Sequence, residues 1–353
     1  MGLLADLDGK DILFTWGLFG VQSDRLSLKK ELIAKVHELL NQSAGRVDLL
    51  RDENDDPDKH CVSTIFIAHW QHRKDYEVWK TKDLEPFWRS LPDDAGVWRE
   101  VMTVPKSRYM FFTSSSVASG FASLVGTKPG TDGGYWGVYR DRMAAHPDRY
   151  TAPGDTLTSP YASKTIPGRK LVDLEKRYPN EIHRGRLKVT RAPDNICFIR
   201  EMQALSNLGK QDSEIWLQSL NPYFRSWVDH LDTHHNRNGV LSFSTHAALN
   251  PSDLGDQGLA HNRTVKSSDG VGFETNQLMY FLDLGDFELA GRSFKDHVKL
   301  RNSAIDLLRP GGKLFKTETL RFTVEMCVVK AEDLDAEYVG CKKGTRLMIL
   351  EDL

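Results

Sequence analysis

The sequence predicts an α+β fold made of two ferredoxin-like units gathered into one chain, of the dimeric α+β barrel type. Three observations carry that prediction. Short apolar or alternating runs of strand length recur along the chain, and helical patterns lie between them. In each half a strand leads to a long helix and then to another strand. Finally, "STIFIAHW" and "LMYFLDLG" are each followed at once by a short acidic-to-apolar helix, "RKDYEVW" and "DFELAG", which reads as a weak internal repeat of a β-α-β-β unit.

Taken in order, the strands are "DILFTWGLFGVQ" (11–22), "VSTIFIAHW" (62–70), "VWREVMTVP" (97–105), "ICFIREM" (196–202), "GVLSFST" (239–245), "QLMYFLDL" (277–284) and "TETLRFTVEMCVV" (317–329). "LSLKKELIAKVHELL" (26–40) and "SEIWLQSLNPYFRSWVDHL" (213–231) place apolar residues at helical spacing, and Pro222 predicts a kink in the second. One domain spanning 1–353 is expected, with pseudo-repeats at 10–110 and 186–345. The stretch 115–185, rich in Gly, Pro, Ser and Thr, reads as a linker that wraps the surface, and 252–272 as a second loop.

Composition excludes several function classes. Forty-seven Lys and Arg nearly balance 49 Asp and Glu, so the electrostatic footprint of a phosphate-backbone binder is missing and no nucleic-acid partner is expected. Cys61, Cys197, Cys327 and Cys341 form no CxxC or CxxCH motif and read as buried thiols in a reducing compartment. The N-terminus lacks a signal-peptide pattern, Asp6 stands where a myristoylation signal needs Ser or Thr, and no run suffices to span a bilayer. The expectation is a cytoplasmic protein without a membrane partner. "NQS" and "NRT" are then chance matches to a glycosylation acceptor.

Few motifs carry chemistry by spacing alone. "LLRPGGKLF" (307–315) has the look of a late methyltransferase element, but its companion motifs are missing, and it reads as a turn ending a helix and feeding a strand. "GTKPGTDGGYWG" lacks the spacing of a phosphate cradle, and the adjacent His234 and His235 are poorly placed to share a metal. "YWGVYRDRM" (135–143) gathers aromatic residues and arginines that could meet a carboxylate or polar group, or form a surface salt-bridge cluster. "APDNICFIREMQ" sends Arg200 and Glu201 to opposite faces of a strand. An inward carboxylate there is a candidate for acid-base chemistry, and an edge-strand charge is the plainer alternative. His297, alone in a charged stretch, has no ligand-spaced partner.

The succession "FGVQ", "IFIAHW", "GVWREVMTVP", "GYWGVYRDRM", "RLKVTRAPDNICFIR", "YFLDLGDFE", "KDH" and "FKTE" nevertheless resembles the haem-containing aldoxime dehydratases, the phenylacetaldoxime dehydratase type included. It spans nearly the whole chain in the family's order, and "YWG..RDR" and "APDNIC.IR" are its most specific pieces. The resemblance implies a pair of ferredoxin-like units enclosing a non-covalent haem b, ferrous in the active form. It also implies a lyase that dehydrates an aldoxime, R-CH=N-OH, to a nitrile, acting on a small aldoxime-like substrate and leaving room for a homodimer. The alternative is a diverged haem enzyme for another N-O or N-N substrate, or a haem or ligand-binding protein without catalysis.

Residue by residue, the family's proximal histidine falls on His297, counted from Gly285. The family's preceding His-Pro-Thr is here Phe294, Lys295 and Asp296, and Asp296 is a candidate to hold the imidazole. A distal arginine carries over to Arg140 or Arg142. Where the family has a distal serine this chain has Glu201, and where it has the distal histidine this chain has Val324, or Thr323 if the gap is placed differently. Glu201 in an apolar pocket is the candidate to hold the proton that the histidine would have supplied.

Overall fold

Thirteen strands of the described residues form one sheet. The computed structural model describes residues 2–10, 12–24, 29–52, 61–130, 139–144, 148–151, 155, 157, 181–205, 208–233, 239–249, 274–315 and 320–352. Most of the expected linker, the loop 252–272, His234 and His235 lie outside the described residues.

Two β-α-β-β-α-β units are woven into this sheet. The first runs β2 (Leu13–Asp24), α1 (Lys30–Asn41), β3 (Arg46–Asp52), β4 (Cys61–Trp70), α2 (Arg73–Trp79), α3 (Glu85–Ser90) and β5 (Val97–Pro105). The second runs β9 (Ile196–Ala204), α6 (Lys210–Ile215), α7 (Asn221–Thr233), β10 (Val240–Leu249), β11 (Glu274–Phe281), α8 (Leu284–Ser293), α9 (Lys295–Leu308) and β12 (Arg321–Val329). Within each unit the fourth, first, third and second strands are neighbours in that order, the ferredoxin-like arrangement.

The units join where β10 pairs antiparallel with β3, at His246 opposite Asp52. They also exchange strands: β6 (Tyr109–Thr113), which follows the first unit, pairs with β12 of the second, while β13 (Leu334–Val339) returns to β5 of the first. The remaining strands, β1 (Leu3–Ala5), β7 (Thr127–Pro129) and β8 (Arg186–Lys188), extend the two ends, and α4 (Ala122–Val125) and α5 (Tyr139–Ala144) follow β6. The sheet curls until β5 and β12 touch, with Cys327 Sγ 3.9 Å from Met102 Sδ.

Alternation along each strand then sorts side chains into an inside and an outside. Phe14, Trp16 and Leu18 of β2 enter the barrel interior with Phe198, Tyr280 and Trp98, whereas Phe19 and Val21 face the helices of their own unit. Gly20 is required by this packing, because a Cβ there would sit 2.0 Å from the Trp98 ring. Each amphipathic helix buries one stripe: Val36 and Leu40 of α1, Trp227 and Leu231 of α7. Truncating one such side chain to Ala costs about 2–5 kcal/mol, far more than helix propensity alone contributes.

The predicted kink at Pro222 takes a definite form. Trp216–Leu220 is a π turn, and α7 restarts at Asn221 with Pro222 next. The first unit repeats the device, with a π turn at Lys80–Leu84 and Pro86 in the first turn of α3. Proline cannot donate the helical bond, and the widened turn makes room for its ring.

Candidate functional site: a slot between helix α9 and the second-unit sheet

The site begins with a broken helix. Asp283 caps α8 by accepting a 2.8 Å hydrogen bond from the Asp286 backbone N–H, and α8 stops at Phe294, whose extended backbone turns the chain into α9. A helix end leaves its last carbonyls without intrahelical partners. One of these, Gly291 O, lies 2.5 Å from His297 Nδ1. The imidazole therefore donates from Nδ1, and its Nε2 lone pair is left for a ligand. The Trp227 ring, 4.3 Å from the imidazole between centroids, packs against its plane. Part of the ring stays exposed to the slot, yet burial pushes the His297 pKa down to about 4, so the neutral, metal-ligating form prevails at neutral pH.

Asp296 does not hold this ring. Its carboxylate accepts from Ser226 Oγ at 2.8 Å and from Lys299 Nζ at 3.1 Å, on the far side of the helix turn. Consecutive helical residues point about 100° apart, so the residue beside the candidate ligand could not share its face.

His297 opens onto a narrow slot of about 50 Å³. Leu300, Arg301 and Ala304 of α9 and Phe224 of α7 line one side. Across from them stand Glu201, Met202 and Gln203 of β9 and Phe322, Thr323 and Val324 of β12, with Tyr139 of α5 at the margin. The slot thus lies outside the barrel, between the second unit's sheet and its helices.

β9 sits between β12 and β11, so Glu201 is not an edge-strand charge. Arg200 points into the barrel, where its Nη1 lies 2.6 Å from Asp48 Oδ2 and its Nε donates to Asn276 Oδ1 at 2.8 Å. Glu201 points the other way, into the slot, and is 8% exposed. Burial alone pushes its pKa up to about 7, which makes it a carboxyl able to hold a proton at neutral pH.

Val324 is the register partner of Glu201, and Phe112 of β6 is in turn the partner of Val324. The Arg142 guanidinium lies over the Phe112 ring, 5.7 Å from its centroid, next along this row. Burial and the charge of Glu201 raise the pKa of Tyr139, while Arg142 lowers it, so these three groups share one electrostatic neighbourhood. Arg140 is directed elsewhere, with Nη2 3.6 Å from Glu288 Oε2 of α8. Thr323 lines the slot and shares a 2.8 Å hydrogen bond with Thr113. The structure thus gathers His297, Glu201, Val324 and Thr323 around one space, with Arg142 beside it and Arg140 turned to Glu288.

Sequence reasoning missed Arg301, Phe224 and Phe322 as lining residues. Arg301 had a usable signal, since it follows His297 by four residues on one helix and must share its face. Phe224 and Phe322 had none, because only the packing of α7 and β12 brings them in.

A family model described as haem-containing dehydratase matches residues 17–347. The chain is 25% identical over 332 residues to phenylacetaldoxime dehydratase of Bacillus sp. (strain OxB-1), covering 92% of this chain and 84% of that protein. A crystal structure of aldoxime dehydratase has a TM-score of 0.73 at 15% identity and covers 99% of this chain and 90% of that one. A second, aldoxime dehydratase in complex with butyraldoxime, has a TM-score of 0.71 at 17% identity and covers 99% and 88%. At such identities the two structures speak for the fold.

Haem fits the donor set of the slot. A neutral imidazole with Nδ1 held by a backbone carbonyl is the usual arrangement of a histidine that ligates a metal through Nε2. The walls beyond it are largely apolar, and the half-buried Arg301, one turn along α9, is a cation of the kind that pairs with a carboxylate. Donor chemistry, rather than open volume, carries this fit. No helix among the described residues is long and apolar enough to cross a membrane. Because the family match runs through both ferredoxin-like units and not over a single motif, the chain belongs to the haem-containing dehydratase family.

Proposed function

We propose that the protein is a haem-dependent lyase that converts an aldoxime to a nitrile and water, with His297 as the proximal ligand and Glu201 as the proton donor. The observation that carries this reading is the placement of a neutral imidazole and a protonatable carboxyl on the helix side and the sheet side of one slot.

When bound, haem supplies an iron centre able to coordinate the oxime nitrogen. The chain's own residues do the rest. His297 presents Nε2 because Gly291 occupies Nδ1. Hydroxide is a poor leaving group, so the N–O bond breaks when Glu201 passes its proton to the hydroxyl oxygen and water departs. The aldehydic C–H proton is then lost to the carboxylate left on Glu201, which closes the triple bond and restores the acid. Apolar neighbours such as Val324, Phe322 and Leu300 keep competing water away and maintain the raised pKa of Glu201. Arg142, beside Phe112, is the arginine better placed to orient the substrate.

The test is to load the protein with haem, reduce it, and measure nitrile formation from a panel of alkyl and aryl aldoximes. One observation favours a second reading, a haem enzyme for another N-O or N-N substrate: Val324 brings no acid-base group to the slot where the resemblance expects a histidine. Full haem loading with no nitrile from any aldoxime would decide for that alternative.

A further inference from the structure

A second cavity, of about 360 Å³, opens on the seam between the two units, where β10 pairs with β3. Ser244 and His246 are two residues apart on β10 and project from the same face, and His246 stands opposite Asp52 in the register. Their side chains close up. His246 Nε2 lies 2.8 Å from Ser244 Oγ, and His246 Nδ1 lies 3.0 Å from Asp52 Oδ1. Asp52 is fixed in turn by the Ser63 backbone N–H, which donates to Oδ2 at 2.7 Å. The histidine is 1% exposed, while Ser244 and Asp52 keep partial exposure and line the cavity.

Hydroxyl, imidazole and carboxylate in that order are the parts of an activated serine nucleophile. The Nδ1 to Oδ1 approach is within reach but off the hydrogen-bond axis, a looseness common before substrate binds. A fourth group completes the set. Arg346, 8% exposed, places Nη1 3.3 Å from Ser244 Oγ and donates from Nε to Glu100 Oε2 at 2.8 Å. Its guanidinium is held between Trp98 and Tyr280, 5.1 and 5.2 Å from their centroids. Nη2 is buried with no hydrogen-bond partner among the described residues. A rigid cationic donor with a spare N–H beside a serine oxygen suits the oxyanion of acyl transfer. Asp229 and Asp232 of α7 also line the cavity and disfavour anionic substrates.

We propose that Ser244, His246 and Asp52 form a second reactive centre, independent of the His297 slot, that cleaves small uncharged carboxylic esters with Arg346 as the oxyanion donor. Ser244 Oγ bonds to the ester carbonyl carbon as its proton passes to His246 Nε2. The carbon–oxygen bond to the leaving alcohol breaks, and the alcohol departs with that proton. Water then repeats the sequence on the acyl-serine and releases the carboxylic acid.

The test treats the full-length, haem-loaded protein with a fluorophosphonate probe, locates the adduct by mass spectrometry, and follows p-nitrophenyl acetate hydrolysis in parallel. One adduct per chain is expected, on Ser244, with hydrolysis lost as labelling proceeds. Ser244→Ala should abolish the adduct, and His246→Gln and Asp52→Asn, with circular dichroism unchanged, should slow labelling by about a hundredfold. An unmodified Ser244, or labelling of folded His246→Gln at the parent rate, would overturn the proposal.

Discussion

His297 Nδ1 meets the carbonyl oxygen of Gly291 at 2.5 Å, across the break between α8 and α9. A helix terminus thereby orients the candidate haem ligand without a carboxylate. Gly291 matters for a second reason, since a Cβ built on it would stand 3.1 Å from His297 Cε1 and 3.4 Å from Nδ1. Alanine is the better helix former by about 1 kcal/mol, so Gly291→Ala should not lower the thermal midpoint of the haem-free protein. Haem retention should fall roughly tenfold, because the imidazole is pushed off its carbonyl. Haem titration followed by absorbance, beside a thermal melt, separates the two effects.

His297→Ala should remove the haem outright or weaken it severely. The readout is the intense Soret absorbance of the purified protein. Full haem content with an unchanged spectrum would place the ligand elsewhere.

The two arginines separate by geometry. Arg142 lies over Phe112, one strand from Val324 and two from Glu201, whereas Arg140 is paired with Glu288. Arg142→Ala should reduce aldoxime kcat/KM by about tenfold or more, the worth of one charged contact to substrate. Arg140→Ala should leave it nearly unchanged. Steady-state kinetics at matched haem content checks both.

Glu201 should make stability depend on pH. Its folded pKa of about 7 lies above the ordinary 4.5, so the native state holds the proton more tightly than the unfolded chain. Stability is therefore lost as pH rises through this window, by roughly 3 kcal/mol in all. His297 acts in the opposite sense. Its folded pKa of about 4 lies below the ordinary 6.5, so its contribution is lost as pH falls through that range. Glu201→Gln removes the first effect only. In the haem-free protein it should gain about 2–3 kcal/mol over the parent on going from pH 5 to pH 8, read from denaturation midpoints.

Behind the slot, the barrel interior holds a carboxylate whose loss should be costly. Glu325 Oε1 accepts from Tyr109 Oη and from the Phe121 backbone N–H, both at 2.7 Å, and lies 3.5 Å from His69 Nε2. Burial raises its pKa, but His69, Arg200 and these hydrogen bonds outweigh that and hold it below the usual range. Glu325→Ala leaves buried donors without an acceptor and should cost about 3–5 kcal/mol. Glu325→Gln keeps one oxygen and should cost less.

Much of this was legible in the sequence where a period or a neighbour relation decides the outcome. Seven strands, the repeat of strand and helix, and the opposite facing of Arg200 and Glu201 all follow from alternation and spacing. Strands β3, β6 and β13 were not legible, since their length and register come from partners 13 or more residues away. Asp296 was misjudged because adjacency in sequence is not adjacency on a helix. The Gly291 carbonyl carried no side-chain signal at all. The Ser244, His246 and Asp52 cluster was equally silent, as its third member arrives from another unit.

In the proposed reaction Glu201 delivers the proton opposite His297. The deciding measurement is the nitrile-forming rate of ferrous Glu201→Gln against the parent at equal haem occupancy. An intact haem spectrum is expected, with turnover reduced by about a hundredfold or more. Undiminished turnover in the glutamine variant would rule out Glu201 as the proton donor.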